Sequence, residues 1–163
     1  MTTSEETRVK NRLAVLIGLP LLFVTLAACA PTAQQAAENM ITLSGTQEVP
    51  AVETAATGTA TSSLEGSTLM VMGEFSGLSS PLVEIAGSGG HVHQAAAGAN
   101  GDVIYPLVVT SADGLSGTFN LTTELTPEQV TAYNAGELYV NFHTEMNQGG
   151  ELRGQLMGGM AGM

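Results

Sequence analysis

The sequence has little of what several protein classes need. It has no tryptophan, only seven other aromatic residues and one cysteine in 163 residues. A single cysteine excludes a disulfide within the chain. From residue 29 onward one basic residue stands against 13 acidic ones, a formal net charge of −12. Such a surface repels phosphate backbones, so nucleic-acid binding is excluded, while cations and basic protein partners fit it.

Motifs for hydrolytic chemistry are also absent. The sequence contains no nucleophile elbow, no phosphate-binding loop and no recognisable Ser-His-Asp arrangement. A generic hydrolase is therefore not predicted, and the chain is more readily understood as a binding protein than as an enzyme.

The N-terminus has the layout of a bacterial export signal. Residues 13–28 form an apolar run of 16 residues behind three basic residues, shorter than the roughly 20 residues that span a bilayer. The run ends in Leu26-Ala27-Ala28-Cys29, which resembles the lipobox of bacterial lipoproteins. We expect residues 1–28 to be a cleaved signal peptide and Cys29 to be lipidated. Residues 29–40 then form a flexible tether to the cell membrane or outer membrane, facing outside the cytoplasm.

Beyond the tether, short alternating runs separated by turn residues predict one antiparallel all-β domain over residues 41–157. The predicted strands are 41–48, 57–64, 67–75, 82–86, 90–94, 102–110, 116–123, 137–143 and 150–157. The single helix signal is Thr126-Pro127-Glu128-Gln129, a capping box with proline at the first helical position. We therefore predict a Greek-key β-sandwich with one short connecting helix. Residues 158–163, rich in Met and Gly, are expected to be disordered.

All three histidines of the chain lie in two short motifs. His91-Val92-His93 places two imidazoles on one face of a strand, because strand residues two apart point the same way. In the strand that ends at His143, Tyr139, Asn141 and His143 share a face. If the two strands adjoin, three imidazoles converge. Such a set suits copper, zinc, nickel or iron, with copper favoured on affinity and zinc as the alternative. The other interpretation is that the histidines serve only structural hydrogen bonds.

Nearby carboxylates offer supporting roles. Asp102, Glu145 and Glu151 are candidates to orient the imidazoles as hydrogen-bond acceptors or to bind a harder ion. Each also fits a solvated surface position.

Five motifs in order resemble the CHRD domain, the module named after chordin. They are the segments 43–50 (LSGTQEVP), 91–93 (HVH), 98–101 (GANG), 138–144 (LYVNFHT) and 149–156 (GGELRGQL). Gly90 and Ala95 depart from the family pattern, which often has alanine and glycine there, but both departures spare the histidines. The resemblance implies an extracytoplasmic β-sandwich and, from chordin, a module that binds protein partners.

A second resemblance is to the copper site of Cu/Zn superoxide dismutase. It covers only four positions and implies that His91, His93 and His143 are copper ligands. It also implies that Arg153 is a catalytic, anion-guiding residue. The predicted Greek-key sandwich is of the immunoglobulin-like or Cu/Zn superoxide dismutase-like type. The chain has no further histidine for a bridging ligand or a zinc site, and its negative charge repels superoxide. Two hypotheses follow: a copper-binding lipoprotein with superoxide dismutase-like activity as an option, and a non-catalytic envelope or interaction module without metal.

Overall fold

The structure is a computed structural model that describes residues 39–157. The predicted signal peptide, Cys29, most of the tether and the Met/Gly tail lie outside the described residues. Within residues 39–157, no helix is long and apolar enough to cross a membrane.

Nine strands and one α-helix organise the described residues into two antiparallel sheets. The elements are β1 (Asn39–Leu43), β2 (Thr57–Glu65), β3 (Thr68–Ser76), β4 (Gly90–Gln94), β5 (Asp102–Pro106), β6 (Val108–Ser111), β7 (Gly117–Glu124), α1 (Pro127–Asn134), β8 (Leu138–Phe142) and β9 (Leu152–Leu156). The first sheet has the order β1-β2-β3-β7-β6 and the second the order β5-β4-β8-β9.

The core lies between the two sheets and follows from the alternation of the strands. Leu69, Val71 and Phe75 of β3 are buried while Met72 and Glu74 between them are exposed, the pattern of a sheet with one wet face. From the second sheet, Phe142 packs its ring 4.8 Å from that of Phe75. Aromatic and aliphatic side chains from both inner faces thus interdigitate as in a β-sandwich.

Connections between the sheets confirm the predicted all-β sandwich with its Greek-key type of crossover. The chain leaves the first sheet after β3, forms β4 and β5 in the second, and returns so that β7 pairs with β3. It crosses again so that β8 pairs with β4. These non-consecutive neighbours bring β4 and β8 side by side although more than 40 residues separate them in the chain.

The predicted helix start is also confirmed. The Thr126 hydroxyl accepts the Gln129 N–H, and the Gln129 side chain accepts the Thr126 N–H. Pro127 occupies the first turn. A backbone N–H at this position has no acceptor within the helix, so proline removes no helical hydrogen bond there.

Three strand predictions were wrong in part. The predicted strand 102–110 is two strands in different sheets, because Leu107 between them turns inward and donates its N–H to Gly90. Residues 82–86 form only isolated bridges. The first strand ends at Leu43, after which residues 45–47 form a 3-10 helix. In all three segments the apolar pattern over-predicted regular pairing, and none of residues 82–86 is fully buried.

Both faces of β4, β8 and β9 are almost entirely buried, which sets these three strands apart from β5 and from the first sheet. All five residues of β8 are buried, although only Leu138, Val140 and Phe142 belong to the apolar core. Loops cover the opposite, polar face of the sheet. Their backbone carbonyls accept hydrogen bonds from the side chains of that face, and the carbonyls belong to residues 85, 96, 99, 101 and 148. We call this face, with its cover, the polar layer.

Candidate metal centre

The register of two adjacent strands brings the three histidines together. On β4, His91 pairs with Asn141 and His93 with Tyr139 of β8. His143 follows β8 directly, two residues beyond Asn141 and on the same face. The ring centroids of the three histidines lie between 5.0 and 5.8 Å apart. The convergence predicted from the sequence is therefore present.

Each imidazole is buried and donates one hydrogen bond to a backbone carbonyl. His91 Nε2 contacts the oxygen of Ile85 at 2.5 Å, His93 Nδ1 that of Gly101 at 3.0 Å, and His143 Nδ1 that of Gln148 at 2.9 Å. A carbonyl only accepts, so the bonded nitrogen must carry the hydrogen. In a neutral ring the other nitrogen then presents a lone pair.

Those other three nitrogens, His91 Nδ1, His93 Nε2 and His143 Nε2, are buried and have no hydrogen-bond partner. The three histidines each offer a ring nitrogen within 4.8 Å of the other two, the single such metal-ligating cluster among residues 39–157. Nitrogens on one tetrahedral ion at about 2.0 Å lie roughly 3.3 Å apart, so the rings need to approach by up to about 1.5 Å. Buried polar atoms without partners are rare in proteins, and three that converge form an uncommonly good ligand set.

Burial keeps the three rings in the form that binds metal. Removal from water lowers the pKa of each histidine, against the hydrogen bond to its carbonyl, which raises it. The pKa of His143 falls to about 4. At neutral pH the lone pairs are therefore available, with no proton to displace.

Comparison with models of known protein families assigns the domain to a family. The family model described as the CHRD domain matches residues 40–156, well over half of the chain. The chain belongs to the CHRD family. Apart from Asn39 at the start of β1, all the strands and the three histidines lie within the matched range, and CHRD domains are extracellular. No curated protein and no solved structure gives a significant match.

Arg153 of this CHRD domain is buried in the polar layer, with 1% of its surface exposed. Its guanidinium donates to the carbonyls of Ala96 and Ala99 and to the side chain of Gln155. It also lies 3.6 Å above the ring of Tyr139, whose other neighbour is His93 in a stacked arrangement at 5.0 Å. The arginine thus lies on the same face as the histidines, with the Tyr139 ring between it and His93, and the anion-guiding role stays a prediction.

The candidate carboxylates do not contact the imidazoles. Among the described residues, backbone carbonyls rather than Asp102, Glu145 or Glu151 accept the imidazole hydrogens. Glu151 is fully buried and accepts five hydrogen bonds of its own, from Thr54, Ser79, Thr144 and Asn147. Hydrogen bonds that a loop backbone makes leave no mark in residue types, so the sequence could not reveal them.

A further polar residue of the layer, Glu48, escaped the sequence analysis. Glu48 is 6% exposed, and its carboxyl oxygen Oε2 contacts the Asn141 amide nitrogen at 3.5 Å. Asn141 shares its face with Tyr139 and His143, a polar alternation within a buried strand that did signal its inward position. Glu48 lies in the motif 43–50, but nothing local in that motif places it beside β8.

The outer surface carries charge of one sign. Arg153 is the only Lys or Arg of the described residues, and its burial leaves no such side chain on the surface of residues 39–157. The acidic residues are mostly exposed, Glu48 and Glu151 being the buried exceptions. The field around the domain therefore attracts cations and disfavours anions.

Proposed function

We propose that this CHRD protein is an exported, lipid-anchored protein that binds one transition-metal ion through His91, His93 and His143. The observation that carries the proposal is the set of three buried, unpartnered ring nitrogens that face one another. Each ring is oriented by a hydrogen bond from its other nitrogen, the device by which metal sites fix tautomer and direction. A purely structural role for the histidines explains the bonded nitrogens and leaves the free ones unexplained.

Copper is the favoured ion. Affinity of a nitrogen site for divalent first-row metals is highest for Cu²⁺, and imidazole is borderline in softness, so the reduced ion is also held. Three neutral imidazoles and an open position fit zinc as well, which makes zinc the alternative. Calcium and magnesium are disfavoured because the cluster offers no oxygen ligand.

Binding is better supported than superoxide dismutation. A dismutase must bring an anion to the metal, whereas the exposed surface of the described domain is negative and Arg153 is committed to Ala96, Ala99 and Gln155. Carriage or buffering of the ion needs neither an anion path nor a catalytic base. We therefore assign metal binding as the function and treat dismutase activity as a secondary assay.

A second candidate function is a non-catalytic interaction module without metal. The uniformly acidic surface favours a basic protein partner, with long-range attraction that weakens as salt rises. The same surface is compatible with metal binding, so this candidate becomes the leading one only if the histidines bind no ion.

Metal titration of the purified full chain in detergent tests the proposal. We expect one Cu²⁺ or Zn²⁺ per chain at micromolar concentration, and loss of that binding in the triple variant His91→Ala/His93→Ala/His143→Ala. Tyr133→Phe is the matched control, because it removes a buried polar group, bonded to Ser62, outside the metal centre. Equal binding by the wild type and the triple variant, or no binding by the wild type, contradicts the proposal.

Lipid anchoring has its own test. Cys29→Ser is expected to move the protein from the membrane fraction to the soluble fraction, because the acyl chains have no other attachment in a chain with one cysteine. Membrane association that survives this substitution contradicts the anchor and leaves the metal centre unaffected.

A further inference from the structure

Beside the histidine cluster, two buried side-chain oxygen atoms lie near each other, and neither accepts a hydrogen bond. Glu48 Oε1 and Asn141 Oδ1 are both buried and lack a hydrogen-bond partner. A Cβ on Gly150 would lie 2.6 Å from Glu48 Oε1 and 2.4 Å from Asn141 Oδ1. The two oxygens are thus within about 5 Å of each other across a position that only glycine leaves open. Two facing acceptors require a proton or a cation between them.

We propose that Glu48 is the proton-carrying counter-charge of the metal centre: it is a neutral acid in the metal-free protein and a carboxylate once an ion is bound. This inference rests on the proposed metal binding. In the metal-free state the Glu48 O–H donates to Asn141. On metal binding that O–H bond breaks, the proton passes to solvent, and the carboxylate offsets part of the charge that the ion brings into the layer.

The pairing of β8 with β4 and β9 connects Glu48 to both a histidine of the cluster and the buried arginine. Asn141, its contact, is the direct cross-strand partner of His91 on one side and of Arg153 on the other. Side chains in such pairs have Cβ atoms about 4.5 to 5.5 Å apart. One amide therefore links Glu48 to a metal ligand and to the buried guanidinium.

The charged and titratable groups of this face come from every strand of the second sheet, and of these Arg153 acts on Glu48 itself. They are His91 and His93 on β4, Tyr139 on β8, His143 after β8 and Arg153 on β9. Asp102 opens β5, and the loop 95–101 that covers Arg153 has no charged residue. Glu151 is occupied by its own five donors. Of the two buried acids among the described residues, Glu48 is therefore the one with an oxygen that no donor satisfies.

Charge balance supports the coupling. No carboxylate lies within salt-bridge distance of Arg153 in the described part of the chain, so the layer already holds one buried cation. A divalent ion on three neutral imidazoles adds two more positive charges in a region of low dielectric, which strongly favours ionisation of a nearby acid. In the metal-free protein, burial raises the pKa of Glu48 to about 7, against the lowering effects of Arg153 and Asn141.

Calorimetry of Zn²⁺ binding to the full chain, in two buffers of different ionisation enthalpy, counts the protons released. At pH 6.5 an acid with a pKa of about 7 is about three-quarters protonated, so the wild type should release roughly 0.8 proton per ion more than Glu48→Gln. At pH 8.5 the two proteins should release equal numbers. Glu48→Gln keeps the neutral shape of the side chain, so zinc binding itself should persist.

Infrared difference spectra provide a readout that needs no variant. Zinc added to the wild type should remove the C=O stretching band of one protonated carboxyl group. In protein labelled with ¹³C-glutamate the same band should lie at lower frequency, which assigns it to a glutamic acid. Equal proton counts in the two proteins at pH 6.5, or a protonated band unchanged by zinc, overturns the coupling while the metal site stands. Failure of the wild type to bind zinc overturns both proposals.

Discussion

The Glu151 carboxylate offers the sharpest test of how the loops around the metal centre are held. Its oxygen Oε1 accepts the Thr54 hydroxyl at 2.7 Å and the Ser79 N–H at 2.8 Å, and Oε2 accepts the hydroxyls of Ser79 and Thr144 at 2.8 Å. Asn147 adds a fifth bond at 3.3 Å. In Glu151→Gln an NH₂ group replaces one oxygen and faces donors, so at least two charge-assisted bonds are lost.

Bonds to a charged group contribute about 1.5 to 3 kcal/mol each, so the loss of two in Glu151→Gln should lower the free energy of unfolding by about 3 to 6 kcal/mol at pH 7. Burial raises the pKa of Glu151, but the donors from Thr54, Ser79 and Thr144 outweigh burial and hold the pKa below its ordinary value. The stability from ionised Glu151 is therefore present above pH 4.5 and lost as the pH falls through the lower folded-state pKa. The difference in free energy of unfolding between Glu151→Gln and the wild type should therefore become smaller as the pH falls below 4.5.

Urea unfolding of the metal-free protein at pH 7 and at pH 3 measures both quantities. Glu124→Gln is the matched control, because Glu124 also accepts two hydroxyl hydrogen bonds, from Ser67 and Thr68, but lies exposed, and its effect should be far smaller. A loss below about 1 kcal/mol for Glu151→Gln at pH 7, or a difference equal at the two pH values, refutes this account of the loops.

Two more predictions concern the polar layer. Because the folded state holds the Glu48 proton up to a pKa of about 7, against 4.5 for an ordinary glutamate, stability is lost as the pH rises through 7. Denaturant unfolding should thus show Glu48→Gln gaining about 2 to 3 kcal/mol on the metal-free wild type between pH 5 and pH 8, and a constant difference contradicts this. Gly150→Ala should cost about 2 kcal/mol or more by thermal unfolding, since Gly150 has φ +132° and its Cβ meets Asn141 and Glu48. Gly149→Ala, where a Cβ meets nothing within 4 Å, is the control, and equal losses contradict the prediction.

The histidine cluster could be predicted from the sequence because two periodicities meet in it. The spacing of His91 and His93 and the alternation of Tyr139, Asn141 and His143 each place polar side chains on one strand face. Only the adjacency of β4 and β8 had to be assumed, and the Greek-key crossover supplies it. The sandwich and the capped helix at Thr126 could also be predicted from the sequence. Strand alternation indicates the sandwich, and the capping box indicates the start of the helix.

What the sequence could not predict depends on contacts between distant segments. Leu107 interrupts a continuous run of strand-forming residues only because its N–H finds Gly90. Glu48 reaches Asn141 across 93 positions of the chain, and its raised pKa comes from that burial. Arg153, expected to guide anions, donates to carbonyls of the loop after β4. Each outcome was decided by tertiary packing, which local pattern does not record.

The carbonyls that orient the three imidazoles have a consequence for how this centre can change in evolution. Every residue type has a backbone carbonyl, so replacement of Ile85 or Gln148 leaves the acceptor of His91 or His143 in place. Insertions and deletions in the same loops move that acceptor and rotate the ring that depends on it. Homologous domains should therefore tolerate varied side chains at these two positions while they conserve the lengths of the loops, and a change in loop length is the route by which a descendant would alter or lose the histidine cluster.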